Sequence, residues 1–589
     1  YTVCMKTHVT KFMLVLTAVC LAYCQTGCGS GSVTIRSSSI GTTQSVTTSA
    51  PSKTIAPHTD VTVTDMAYVR PDLDALGAKI DDLQTSIDRK KPAEELISAY
   101  QEILTDYSHA DSMLSLSYLF YAIDVTESYY QNEYSFLQSE LGVLDSAMEN
   151  VSIHLFESSG EAKTLCEQTF GVPYVENILV EEDLSDESIQ GLLNEEEQQT
   201  LAYDELSATY TLLDNGRRWT LSEIESDPSL DYDEYVRLYN AYCAGFNEKA
   251  GAIFLDQVAI RSEMAQTLGY DDYAEYCYRY YGRDYTLADA DVLHEAVKQY
   301  IMPVFIQANS SSNTYDLADA EFSEQDFIET LQYAAADFSP LLDESVRYML
   351  DNKLYDFSVS ANKMDGSFTT YISDYNAPFI FSWWTGDSTD ITTVLHELGH
   401  FTNYYLNPAV GYSALDSLDL AEIDSQALVL LMIDYYDEFY GSLAKEATQD
   451  VLIDAMFSLI SGCMEDEFQQ TVYQNPSMTL DEINACYKEL AVEYGLDEVY
   501  GYTGTEWALI SHTFQTPMYY ISYAVSMVPA LELYELAQDD PAGARTAYFN
   551  ILQRSQYDPL QSVLEENGLS SVFSEATIKK VAVLLEKRF

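Results

Sequence analysis

His396 and His400, in the run Val394-Leu395-His396-Glu397-Leu398-Gly399-His400, are the pair in this chain best spaced to hold a metal. On a helix, positions four apart differ by about 40° in azimuth, so both imidazoles can face one ion. Glu397 stands one step round and can reach a water beside that ion as general base. Zinc suits such donors: it takes borderline ligands in tetrahedral geometry, and a hydrolytic site keeps one position open. The third protein ligand must come from another element. Glu422 lies in Leu418-Asp419-Leu420-Ala421-Glu422-Ile423-Asp424, which reads as the start of a helix. Asp424 competes for the role, although two helical steps turn it off the face of Glu422. Mn²⁺ or Co²⁺ could occupy the same set.

A second constellation lies further on, where His512 precedes Tyr519, Tyr520 and Tyr523. Neutral donors of this kind can hold the oxyanion of a tetrahedral intermediate, at about 3–4 kcal/mol per donor. Taken alone, the same run also reads as a buried aromatic helix.

The elements that must position these residues are mostly helical. Leu73, Leu76, Ile80, Leu83 and Ile87 recur at three- and four-residue steps, the pattern of an amphipathic helix. Similar spacing runs through 93–150, 195–215, 232–280, 286–308 and 324–354, and helix returns from about 388 to the end. Residues 366–384 differ: aromatic and β-branched residues flank a turn-forming Asp374-Tyr375-Asn376, which reads as two short strands. A boundary near 365 separates an N-terminal helical region (66–365) from a catalytic region (366–589). The 48 tyrosines read mainly as packing residues with wet hydroxyls.

Lys and Arg total 29 against 94 Asp and Glu, a formal charge of -65. That field repels nucleic acid and anionic lipid head groups. It serves either as a hydrated acidic coat or, in part, as the lining of a cleft that attracts basic or neutral peptides. Lys6 and Lys11 precede an apolar run from Phe12 to Ala22, the pattern of an export leader (residues 1–28). Its ending resembles a bacterial lipoprotein processing site with Cys28 as the lipidated residue; Cys24 is a second candidate, and an ordinary cleaved leader is the alternative. Residues 29–65, rich in Ser and Thr, read as a flexible tether. The expectation is an exported chain at the bacterial cell surface, meeting the membrane only through its lipid anchor, or secreted. Cys166, Cys243, Cys277, Cys463 and Cys486 form no CxxC pair and read as buried free thiols.

The three motifs together resemble the thimet oligopeptidase / oligoendopeptidase F family of zinc metallopeptidases, closest to the oligoendopeptidase F branch. They are the run 396–400, Ala421 to Gln426, and His512, Phe514, Pro517, Tyr519, Tyr520, Ile521 and Tyr523 in order. Tyr68 to Leu73, Leu268 to Tyr270 and Gly282 to Tyr285 extend the likeness across roughly 66–587. The resemblance implies a mostly α, bi-lobed body with a deep central channel and a small β-sheet beside the motif helix. It implies one Zn²⁺ per chain and hydrolysis of peptide bonds in short oligopeptides. Tyr523 takes the position of the oxyanion-stabilising tyrosine, with Tyr520 and His512 as companions. Pro378, Phe379, Ile380, Phe381 and Ser382 match an edge strand that pairs with substrate backbone. Two positions depart from the family: Asn403 replaces a frequent histidine and Val429 a frequent glutamate that orients a ligand histidine, a role Asp424 or Asp390 could take over. The rival expectations are a peptide-capturing lipoprotein without catalysis, and an exopeptidase of dipeptidyl-carboxypeptidase type on the same scaffold.

Overall fold

The computed structural model describes residues 58, 60–181, 187–311, 317, 320–364, 366–407 and 417–589. The leader with Cys24 and Cys28, and the tether up to residue 57, lie outside the described residues. The packed body begins before residue 66: Val61 is buried, and the His58 ring stacks on Tyr405 at 4.1 Å.

Helix α1 (Leu73–Asp88) forms as its periodicity dictates, with Leu73, Leu76, Ile80, Leu83 and Ile87 as its buried face. Asp72 caps it by accepting from the Ala75 N–H at 3.0 Å, satisfying an otherwise orphaned donor. α1 packs with α2 (Ala93–Ile123) and α3 (Ser128–Glu157). One departure from the helical reading is a hairpin, β1 (Leu212–Asp214) with β2 (Arg217–Trp219), antiparallel. Its Asn215-Gly216 turn has φ of 48° and 82°, the tight-turn signature that overrides helix at the end of 195–215. The 37-residue α4 (Tyr232–Leu268) follows, capped by Asp231 and ended by Gly269 in the left-handed region, then α5 (Tyr273–Tyr280).

A three-stranded sheet joins the two halves of the chain. Its strands are β3 (Tyr355–Asp356), β4 (Phe368–Ile372) and β5 (Ala377–Phe381), in the order β3-β5-β4. β4 and β5 pair antiparallel, and β3 runs parallel to β5. α2 leans on this sheet: Ala122 O accepts from Met364 N at 2.8 Å and Tyr118 packs on Phe368 at 5.0 Å.

Against the sheet lies α6 (Ser388–Leu406), crossed by α7 (Leu418–Leu431). α8 (Ala444–Gln474), α9 (Ile521–Asp539) and α10 (Pro541–Leu552) complete the surround. α7 is buried along nearly its whole length and α9 along most of its own, so their apolar runs show no solvent-facing stripe. All five cysteines of the body are free, four of them buried. No described helix is long and apolar enough to cross a membrane.

Candidate metal centre

α6 starts at an acidic cap. Asp387 accepts from Thr389 N at 3.0 Å, and Asp390 accepts from Gly386 N at 2.7 Å. Carboxylates here face the positive end of the helix. Asp390 is thereby engaged at the cap and does not take over the role that Val429 leaves open.

Further along, His396 and His400 bring their rings within 5.0 Å, planes 80° apart. Glu422 Oε2 lies 3.6 Å from His396 Nε2 and 3.9 Å from His400 Nε2. One ligand atom from each of the three lies within 4.8 Å of the other two. Tetrahedral bonds of about 2.0 Å separate donors by about 3.3 Å, so small adjustments bring all three onto one ion. His396 Nε2 is buried with no hydrogen-bond partner, an atom that a metal bond would satisfy.

The crossing that brings Glu422 here depends on Gly399. A Cβ at this position would stand 2.3 Å from Asp424 O and 2.5 Å from Ser425 Cα. Only glycine lets the two backbones approach so closely. Asp424 does not compete for the metal: its carboxylate meets Arg554 through two hydrogen bonds, of 2.6 and 3.0 Å, deep in the interior. Asn403 donates to Leu552 O at 3.2 Å, and Val429 is buried in the hydrophobic core.

Burial dominates the charge preferences of the site. Burial pushes Glu422 up to about 7, against the hydrogen bonds of Ser425 and Tyr519 that favour its carboxylate. Burial pushes Glu397 up to about 8, while the Thr369 hydrogen bond opposes the shift and the Glu422 charge adds to it. His396 is held down to about 4 by burial, and His400 well below its usual range. Buried groups of this kind disfavour their own charges when alone. A divalent ion among them reverses that balance by attracting the carboxylates and bonding neutral imidazoles.

Glu397 is aimed by the sheet. Thr369 Oγ1, on β4, donates to Glu397 Oε2 at 2.7 Å, with the Glu397 carbonyl at 2.9 Å as the alternative acceptor. Thr369→Val removes this bond while keeping the side-chain shape. Hydrogen bonds to charged groups contribute about 1.5–3 kcal/mol, so kcat/KM for any reaction that uses Glu397 as base should fall about 10–100-fold with metal content unchanged. Steady-state kinetics with metal analysis tests this, and unaltered kcat/KM removes Thr369 from the site.

His512, Tyr520 and Tyr523 do come together. Tyr520 and Tyr523 ring centroids stand 5.3 Å apart, and His512 lies 5.2 Å from Tyr520 and 6.2 Å from Tyr523. Tyr519, which the sequence offers only as a member of the tyrosine run, ties the group to the candidate metal ligands: it hydrogen-bonds Glu422, stacks on His512 at 5.5 Å and meets Tyr523 edge-on at 5.4 Å. Its position beside Tyr520 was the available signal. Ser425, which donates to Glu422 Oε2 at 3.1 Å, was likewise legible only as a neighbour one turn on. Burial holds the His512 imidazole down to about 3, so it is neutral at physiological pH.

The strand expectation needs correction. Pro378, Phe379, Ile380 and Phe381 form the central strand β5, and Ser382 continues it. Both sides are engaged: Ile380 N donates to Leu354 O at 3.1 Å and Ser382 N to Asp356 O at 2.9 Å, while β4 occupies the opposite edge. The β3-facing backbone of Ile380 and Ser382 is thus already engaged, and β5 is not an edge strand. Since Ile380 N points to β3, Phe379 and Phe381 point to β4 and pair there with Thr370 and Phe368. Antiparallel alternation then turns the backbone groups of Thr369 and Tyr371 toward the outer edge of β4.

With this geometry in view, the comparisons with known proteins agree. The family model "Peptidase family M3" matches residues 243–583, more than half of the chain, and "Peptidase M3 N-terminal domain" matches 63–181. The chain belongs to peptidase family M3 and is a metallopeptidase. Among solved structures, it resembles a candidate oligoendopeptidase F at 23% identity, covering 90% of this chain and 98% of the other, with TM-score 0.76. PZ peptidase A in complex with an inhibitor matches at 22% identity over 89% and 98%, TM-score 0.75. Metallocarboxypeptidase 1 of Trypanosoma cruzi matches at 12% identity over 84% and 99%, TM-score 0.55. At these identities the likeness establishes the mostly helical fold. No curated protein sequence matches the chain significantly.

Proposed function

We propose that the chain is a zinc-dependent oligoendopeptidase acting on short peptides. The observation that carries this reading is the convergence of His396, His400 and Glu422 within 4.8 Å of one another, with the buried Glu397 carboxyl held by Thr369 beside them. One Zn²⁺ held by those three residues would supply Lewis acidity and acidify a bound water.

The chain's own residues do the rest. Glu397 takes the proton of the attacking water and delivers it to the leaving amine. The tyrosine hydroxyls, Tyr523 foremost, donate to the oxyanion as it develops, in a pocket where burial strengthens each hydrogen bond. The outward-turned backbone of Thr369 and Tyr371, not that of β5, pairs with the substrate as an added strand. Because the Thr369 side chain touches Glu397, a peptide paired there lies next to the base. The acidic surface of the chain favours neutral or basic peptides.

The test is metal content of the purified protein together with cleavage of a quenched fluorescent peptide library, with and without chelator. One zinc per chain and cleavage inside peptides that chelator abolishes and zinc restores are the expected results. Bound zinc without cleavage of any peptide favours peptide capture, release of residues only from peptide ends favours the exopeptidase, and absence of zinc overturns the ligand assignment.

A further inference from the structure

The segment Thr513–Met518, which delivers the tyrosine cluster, is held by side chains from distant helices. Arg261 of α4 donates to Thr513 O at 3.1 Å and to Phe514 O, and Gln257 to Phe514 O at 3.0 Å. Tyr281 OH donates to Pro517 O at 3.0 Å. Met518 is the point of strain: its φ is 64°, a left-handed conformation unusual for a side chain of this size. Both sides of its backbone are secured. Gln469 Oε1 accepts from Met518 N at 2.9 Å, and Arg283 Nη2 donates to Met518 O at 2.8 Å and to Ser522 Oγ at 3.3 Å.

Arg283 is almost completely buried, with 1% of its side chain exposed. Its guanidinium packs over the rings of Tyr278 and Tyr281 at 4.4 and 5.1 Å. Its Nε stands 3.9 Å from Asp419 Oδ2, and Asp419 lies one helical turn before Glu422 on α7. One buried cation thus touches the tyrosine segment on one side and the helix of the third ligand on the other. Burying a guanidinium is costly, and an apolar side chain would fill the same space more cheaply.

We propose that Arg283 is a positioning residue which, through the Met518 carbonyl, fixes Tyr519, Tyr520 and Tyr523 relative to Glu422 and so controls transition-state stabilisation. It touches neither metal nor substrate. The proposal rests on the oligoendopeptidase reading and deepens it. Oxyanion donors act only if they are held in place before charge develops. Loosening them weakens the transition state more than the ground state, which lowers kcat and spares KM.

The experiment compares wild-type zinc-loaded enzyme with Arg283→Met and Gln469→Leu. Arg283→Met should lower kcat about 10²-fold, the effect of a displacement near 1 Å, with KM within about twofold and metal content unchanged. Gln469→Leu, which removes the acceptor of Met518 N and so releases the preceding Pro517–Met518 peptide group, should shift kcat in the same direction. Amide exchange across residues 515–523 should quicken in both variants, a readout independent of turnover. Unchanged kcat and exchange in both variants overturn the proposal. So does a loss of activity that only follows loss of metal or a matching rise in KM. Wild-type protein that binds metal and cleaves nothing strikes the oligoendopeptidase reading instead, and the exchange rates then still decide whether Arg283 fixes the segment.

Discussion

Glu397→Gln should keep the metal and lower kcat by about 10²–10⁴-fold, the range contributed by a positioned general base. The substitution is nearly isosteric, and the carbonyl oxygen of the new amide can still accept from Thr369. Nothing in the ligand set changes, because His396, His400 and Glu422 hold their own arrangement. What disappears is the ability to take and return a proton. The site offers no ready replacement: His512 sits among the tyrosines, where burial disfavours its taking up a proton, and Glu422 is engaged by Ser425 and Tyr519. Metal analysis with steady-state kinetics decides the matter. Retained turnover would remove Glu397 from the mechanism, and loss of metal would make it a ligand.

Gly399→Ala is expected to be as damaging by a different route. The new methyl would sit 2.3 Å from Asp424 O and 2.5 Å from Ser425 Cα, both in or on the backbone of α7. No side-chain rotation relieves such a clash, so α6 and α7 must move apart. Overpacking of this kind costs about 1–3 kcal/mol. The larger consequence falls on the site, since Asp424 and Ser425 closely follow Glu422 and any separation carries that ligand away from the histidines. Metal distances tolerate only about 0.2 Å, so metal affinity should fall by about 10–100-fold, the range seen when the surroundings of a metal site are disturbed. Competition with a chelator measures this, alongside thermal unfolding. Wild-type affinity would show that the crossing yields without moving Glu422.

Much of the site was readable in the linear order because helical geometry is local. A spacing of four residues places His396 and His400 on one face wherever the helix lies, and the same rule separates Asp424 from Glu422. Arg554 then explains what Asp424 does instead, a pairing across 130 positions that no local pattern contains. The two strands of 366–384 were equally local, as alternating residues around a turn. Their order in the sheet was not. β3 is two residues long, too short to leave a period, yet by pairing with β5 it turns a supposed edge into the centre and hands the free edge to β4. The role of Thr369 and the link from Tyr519 to Glu422 were illegible for the same reason: their importance lies in what they touch, Glu397 and Glu422, and those contacts form only on folding.

The helical class of the body, the candidate metal-binding trio with its candidate base, and the family likeness were all legible in the residues alone, as properties carried by short-range periodicity and motif order. The tertiary structure alone decided which strand edge is free, why Gly399 must be glycine, and how buried Arg283, Arg261 and Gln469 hold the strained peptide that presents the tyrosines. Those features depend on close approach between segments far apart in the chain, and packing of that kind leaves no periodic trace in the residues that make it.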